Sequence, residues 1–283
     1  VLALLAACGS SARDCPDAPP AIGDASTDAP PDAATGLQLV LMIGQSNAGS
    51  QGLVSELADP TLAQPYPAVQ FAEVIGLLNG APVTYPLGPL QPYPGLQPGN
   101  PPAFGFELSM GRELDAHDPG RWAIAKYSIG STTLGGSWPT TGSYDPVGSP
   151  VNLYTAANAF GQKVAQQAGA TLAAIVWIQG ESDAVGAAES PYAVTYGVRL
   201  AEQIGAERFT WRDRGVPFIY GRLNVNAAGA GVADVRAGQE ANQGPLEIMV
   251  DQDPYPLRSD MAHYTTESVV DLGRVYADAV LQR

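Results

Sequence analysis

The chain has 283 residues, of which 45% are hydrophobic, and a formal net charge of -14. That length and composition suffice for one sizeable core, and the acidity argues against nucleic acid or an anionic membrane surface as a partner. The two cysteines, Cys8 and Cys15, and the two histidines, His117 and His263, exclude a disulfide framework past residue 15 and leave too few ligands for a zinc site; no cofactor is expected.

In chain order, Val1–Ala7 is an apolar run too short to span a bilayer. Leu5-Ala6-Ala7-Cys8-Gly9 resembles the lipobox of bacterial lipoproteins. The resemblance implies cleavage before Cys8 and lipidation of its thiol. The expected product is exported, held at the outer membrane or cell surface or else secreted, and meets a membrane only through this anchor. Residues 9–36 are dominated by Ala, Asp, Pro, Ser and Gly and carry Asp14, Asp17, Asp24, Asp28 and Asp32. So few apolar side chains cannot offset the entropy of ordering, which predicts a flexible linker. A single domain is expected over 37–283.

Five nearly continuous apolar runs predict buried strands: Leu37–Ile43, Trp122–Ile129, Leu172–Ile178, Val216–Leu223 and Leu246–Val250. Helical patterns alternate with them at about 104–116, 151–168, 190–206, 232–243 and 266–282. The alternation predicts a three-layer α/β/α, flavodoxin-like domain with a mostly parallel central sheet. Between residues 79 and 103 the prolines Pro82, Pro86, Pro89, Pro92, Pro94, Pro98, Pro101 and Pro102 predict a long irregular loop. Its Tyr85 and Tyr93 are candidates for a wall of the site. Residues 130–149 are Gly-rich and predict a second loop.

In open α/β sheets, ligands bind beyond the carboxyl ends of strands, and polar residues collect there. Gly44-Gln45-Ser46-Asn47 follows the first strand, Gly130-Ser131-Thr132 the second, and Gln179-Gly180-Glu181-Ser182-Asp183 the third. Ser46 is either a nucleophile or a helix cap. A serine nucleophile needs a base, and His263 is the candidate, because His117 sits at a polar helix end where it suits the helix dipole. Asp260, three residues before His263, can orient the imidazole or cap the helix near 266. Glu181 is the alternative acid. Gln179 can donate a side-chain amide to an oxyanion, and Gly130–Ser131 together with Ser46 can add backbone N–H groups. Glu181 or Asp183 can instead tie down a neighbouring loop. Trp138 and Tyr264 are candidates to flank a sugar, with core packing as the alternative for each.

These four blocks resemble the SGNH hydrolase superfamily, and more narrowly carbohydrate esterase family 6 and the sialate O-acetylesterase-like domain, over residues 37–283. The resemblance implies Ser46 as nucleophile, His263 as base, Gln179 in the oxyanion hole, and removal of O-acetyl groups from carbohydrate, such as acetylxylan, without a metal. Ser131 departs from the Gly-Gly-Thr often found in that block. For the acid the resemblance leaves both Asp260 and Glu181, of which Asp260 is favoured on local spacing. The alternatives are a sialate or peptidoglycan O-acetylesterase, and a non-catalytic glycan-binding lipoprotein. A nucleotide-binding domain fits poorly, because Gly44–Gly49 has neither the Gly-x-Gly-x-x-Gly pattern nor a phosphate-binding lysine.

Overall fold

Alternate residues of the apolar runs point to opposite faces of one sheet, and this sets the layers. In the computed structural model, which describes residues 36–78, 81–95, 100–140, 151–185 and 191–282, β1 spans Leu37–Gly44. Its Val40 and Met42 face one apolar cluster; Leu39, Leu41 and Ile43 face the other. Helices α1 (Glu107–His117) and α7 (Thr266–Leu281) cover the first face through Leu108, Leu114, Val269 and Leu272. Helices α3 (Leu153–Ala168), α5 (Pro191–Trp211) and α6 (Val232–Glu240) cover the second through Leu153, Val164, Leu200 and Val235. Both ends of α3 follow from local chemistry. Asn152 caps its first turn by accepting from the Thr155 N–H, and Gly169 ends it in the left-handed conformation at φ 63°.

The remaining strands are β2 (Gly52–Leu53), β3 (Tyr66–Leu78), β4 (Ala81–Leu90), β5 (Ala103–Phe104), β6 (Trp122–Ser128), β7 (Ala170–Ile178), β8 (Phe218–Arg222) and β9 (Glu247–Asp251). The main sheet has the order β4-β3-β6-β1-β7-β8-β9, and every pairing is parallel except β3 with β4. β2 and β5 form a separate antiparallel pair. Central β1 lies between β6 and β7, so the connections after these three strands leave from one edge of the sheet. That edge is the switch point where ligands are expected.

All five expected strands and five expected helices are present, with ends shifted by up to five residues. Short helices α2 (Leu134–Ser137) and α4 (Glu181–Ala184) are added in the loops. One expectation is overturned. The proline-rich stretch is regular over β4, which pairs with β3 to form a long hairpin. β4 is at the sheet edge, where a strand needs hydrogen-bond donors on one side only, so Pro82, Pro86 and Pro89 are tolerated. β3 escapes the apolar criterion because Glu73 interrupts it. Glu73 is nevertheless buried, beside Lys126 of β6, its register neighbour. Cys8 and the linker up to residue 35 lie outside the described residues, as do 141–149 of the second expected loop.

A second buried acid tests the helical layer. The Glu207 carboxyl of α5 accepts from Asn158 Nδ2 of α3 at 3.2 Å and from Gln203 Nε2 at 2.7 Å, and Trp211 Nε1 donates to Asn158 Oδ1 at 2.7 Å. Burial pushes this carboxyl up to about 8, against the two amide donors. Because the folded-state value lies above the unfolded one, folding loses stability as pH rises from about 4.5 through 8. Glu207→Gln keeps an acceptor for both amides and removes the buried charge. Its expected effect in thermal denaturation is a rise of several degrees in Tm at pH 9 that shrinks at pH 5; an equal shift at both pH values would contradict the assignment.

Candidate active site

The chain turns sharply as it leaves β1. Gly44 has φ 147°, and a Cβ there would sit 2.0 Å from the Ile178 carbonyl oxygen, so only glycine fits. The next residues form a single 3₁₀ turn, Ser46–Ala48. Ser46 lies on this turn with its side chain toward a cleft of ≈ 340 Å³. His263 Nε2 is 3.0 Å from Ser46 Oγ, and His263 Nδ1 is 2.7 Å from Asp260 Oδ2. Residues 217 positions apart in sequence are thus joined into a Ser–His–Asp relay.

The histidine turn is built by local bonds. Asp260 Oδ1 accepts the N–H groups of Ala262 and His263, each at 3.0 Å. Met261 takes the left-handed conformation at φ 53°, which closes the turn. The cap of α7 is Thr265, accepting from Ser268 N–H, so Asp260 is left to the imidazole. Burial works against the Asp260 charge, but the His263 and Ala262 N–H groups and the His263 ring hold its carboxyl down at about 2. Whatever stability that carboxylate contributes is present above about 3.8 and is lost as pH falls toward 2.

Glu181 does not bond to the imidazole in this arrangement. Its carboxylate accepts from Gln45 Nε2 and, at 2.5 Å, from Asn47 Nδ2, the two neighbours of Ser46. Asn47 Nδ2 also donates to the Ala262 carbonyl at 2.8 Å, next to His263. Burial raises the Glu181 carboxyl, and the Asn47 amide opposes the rise. Asp183 is the loop anchor: it accepts from the Gln179 amide and from the Leu134 N–H at 3.0 Å. Burial lifts it to about 6 despite these donors.

Three expected positions need correction. Gln179 is not directed into the cleft. Its side-chain nitrogen donates to Asp183, to the Thr132 carbonyl at 3.0 Å and to Gln45 Oε1 at 3.3 Å, so its donors are occupied. Trp138 is fully buried, edge-on to Trp177 with ring centroids 5.1 Å apart, and donates to Thr132 Oγ1. Tyr264 is also in the core, against Phe106, with its hydroxyl on Gln252 Oε1 at 2.9 Å. Both aromatics have enough apolar surface to pack inward once their one polar atom has a partner.

Gly130 and Ser131 do line the cleft, and a Cβ at Gly130 would lie 3.6 Å from Ser46 Cβ. Ser131 holds the left-handed conformation at φ 59°, a geometry glycine adopts more cheaply. Across from them, Tyr93 lines the cleft with Ile75 and Leu77 of the hairpin, and Tyr85 packs edge-on behind Tyr93 at 5.4 Å. His117 is exposed at the end of α1. Among the described residues no group of three or more His, Cys, Asp or Glu side chains could hold a metal ion.

A mostly parallel α/β/α sheet with this Ser–His–Asp contact at its switch point fits an SGNH-like esterase. The chain belongs to the family described as carbohydrate esterase, sialic acid-specific acetylesterase, which matches residues 36–282. It is 32% identical over 116 residues to a probable carbohydrate esterase of Arabidopsis thaliana, a match spanning 41% of this chain and 43% of that relative. A solved Arabidopsis thaliana structure superposes with TM-score 0.67 at 20% identity, over 87% of this chain and 98% of the other. NanS gives 0.60 at 14%, over 87% and 96%. A carbohydrate acetylesterase from Xanthomonas citri gives 0.57 at 16%, over 86% of this chain and 54% of the other.

The Glu181 contacts make a prediction. Glu181→Gln replaces an acceptor of two amide donors with a group that is half donor, and the Ser46 turn loses its fixed seat. Steady-state kinetics on an aryl acetate should show kcat reduced about 10- to 100-fold with a smaller change in KM. An unchanged kcat would mean that the turn is held by other contacts.

Proposed function

We propose that this carbohydrate-esterase family member is a serine O-acetylesterase acting on acetylated poly- or oligosaccharide, acetylxylan included, through an acetyl-enzyme intermediate. The observation that supports it is the continuous contact from Ser46 through His263 to Asp260 at the mouth of a cleft with an apolar and aromatic wall. A glycan-binding module has no use for such a relay.

In the proposed reaction, Ser46 Oγ attacks the acetyl carbonyl and passes its proton to His263 Nε2. Asp260 fixes the imidazole with Nδ1 as donor and stabilises the imidazolium. The Ser46 N–H and an N–H from the Gly130–Ser131 turn receive the oxyanion. Collapse of the tetrahedral intermediate breaks the ester C–O bond, and the sugar oxygen leaves with the proton held on His263. Water, deprotonated by the same histidine, then attacks the acetyl-enzyme and releases acetate. Glu181 positions the serine turn and is not assigned a proton-transfer role. Anchoring through a lipidated Cys8, with the catalytic domain outside the cell, belongs to the same proposal.

Two measurements test it. Acetate release from acetylated xylan and from a small aryl acetate is expected for the wild type and should fall at least about 10³-fold in Ser46→Ala. Activity surviving in a folded Ser46→Ala protein would sink the reading. Asp260→Asn should lower kcat by roughly two to four orders of magnitude, because the imidazole loses the partner that sets its tautomer. With the Asp260 carboxyl at about 2, that residue stays ionised between pH 4 and 8, so a fall in rate across this range cannot come from its titration.

A further inference from the structure

Beneath the cleft lies a buried ammonium set between two carboxylates and a serine hydroxyl. Lys126 Nζ is 2.8 Å from Glu73 Oε2, 3.0 Å from Glu107 Oε1 and 3.2 Å from Ser50 Oγ, and its side chain is fully buried. Glu107 Oε1 is fixed in turn by the Gly105 N–H at 2.8 Å. Burial works against the Lys126 charge, but the Glu107 and Glu73 carboxylates overcome that and hold it above its ordinary value. An ammonium has no lone pair and can only donate. Ser50 Oγ is therefore its acceptor, and the Ser50 hydrogen must point elsewhere. Ser50 is half-buried and lines the cleft that holds Ser46. Among the described residues no acceptor receives its hydrogen.

An independent observation marks the same floor. Ser128, the last residue of β6, is 2% exposed and lines the cleft, yet its hydroxyl has no hydrogen-bond partner among the described residues. It lies under Gly49, the neighbour of Ser50: a Cβ at Gly49 would come within 3.1 Å of Ser128 Oγ. A buried hydroxyl without a partner costs stability in the empty site and is satisfied when a ligand supplies one.

We infer that Ser50 and Ser128 form a subsite for a free hydroxyl on the sugar ring that carries the ester, so that the enzyme prefers partially acetylated sugars to fully acetylated or deoxygenated ones. A sugar hydroxyl both accepts and donates. Ser50 offers an oriented donor, charge-assisted through Lys126, and Ser128 offers an oxygen that can accept. Ile75, Leu77 and Tyr93 form the apolar wall for the C–H face of the same ring. The pair would act as substrate-binding residues, and Lys126 as a positioning residue acting through Ser50. This inference rests on the serine esterase reading.

The test compares kcat/KM for mono-O-acetylated methyl xylosides and glucosides with that for analogues deoxygenated at the carbon next to the ester. The wild type is expected to favour the free-hydroxyl member of a pair about tenfold or more, mainly through KM. That ratio should collapse toward one in Ser50→Ala and Ser128→Ala and recover in Ser50→Thr, which restores the hydroxyl. A purely structural serine would lower both members of a pair alike and leave the ratio in place. Equal turnover of both members by the wild type, an unchanged ratio in both alanine variants, or turnover of no sugar pair would each overturn the subsite. Loss of the esterase reading is recognised separately, as aryl acetate hydrolysis that survives Ser46→Ala.

Discussion

One buried carboxylate ties the site together. Glu181 accepts from the residues on either side of Ser46, and one of them, Asn47, also holds the carbonyl next to His263. A carboxylate taken out of water costs several kcal/mol unless donors surround it. Here the donors are amides from the Ser46 turn, so settling the charge and placing the serine are a single event. The strict geometry of Gly44 supports the same end, because any other residue would push the turn off the Ile178 carbonyl.

The sheet supplies the distances. Since β1 lies between β6 and β7, the serine turn, the Gly130–Ser131 turn and the Glu181 turn leave adjacent strands at one edge. The His263 turn arrives from beyond β9 and is closed by Asp260 and Met261 over four residues. Parallel strands carry three of the four segments, and hydrogen bonds from Glu181, Asn47 and His263 tie the segments to one another. Such a network is worth more assembled than its pairs suggest, because each unpartnered buried atom would carry its own desolvation cost.

Much of this is legible in the sequence, for identifiable reasons. A strand buried on both faces writes itself as an apolar run, so five of the six parallel strands read directly. The Asp260–His263 pair reads because its geometry is local. Contacts that depend on a distant partner do not read. Glu73 looks like the end of an apolar run until Lys126 is beside it, and that hides β3. β4 is masked by prolines that only an edge position permits. Gln179 has the right type and place for an oxyanion donor, but Asp183, four residues on, engages its amide. Trp138 and Tyr264 follow functional blocks in sequence, yet their side chains turn inward, a choice made by the shape of the core. Ser50 and Ser128 carry no motif, and only the buried ammonium and the missing partner set them apart.

The prolines of β4 have a meaning beyond their effect on prediction. β4 is the outermost strand on the side of the sheet that builds the cleft wall. An ordinary edge strand offers a continuous row of N–H and C=O groups on which another chain can zip. Pro82, Pro86 and Pro89 remove donors from β4 and break that template. The hairpin can therefore project a wall for substrate without inviting strand addition, and a neighbouring chain has no ladder by which to grow across the mouth of the cleft.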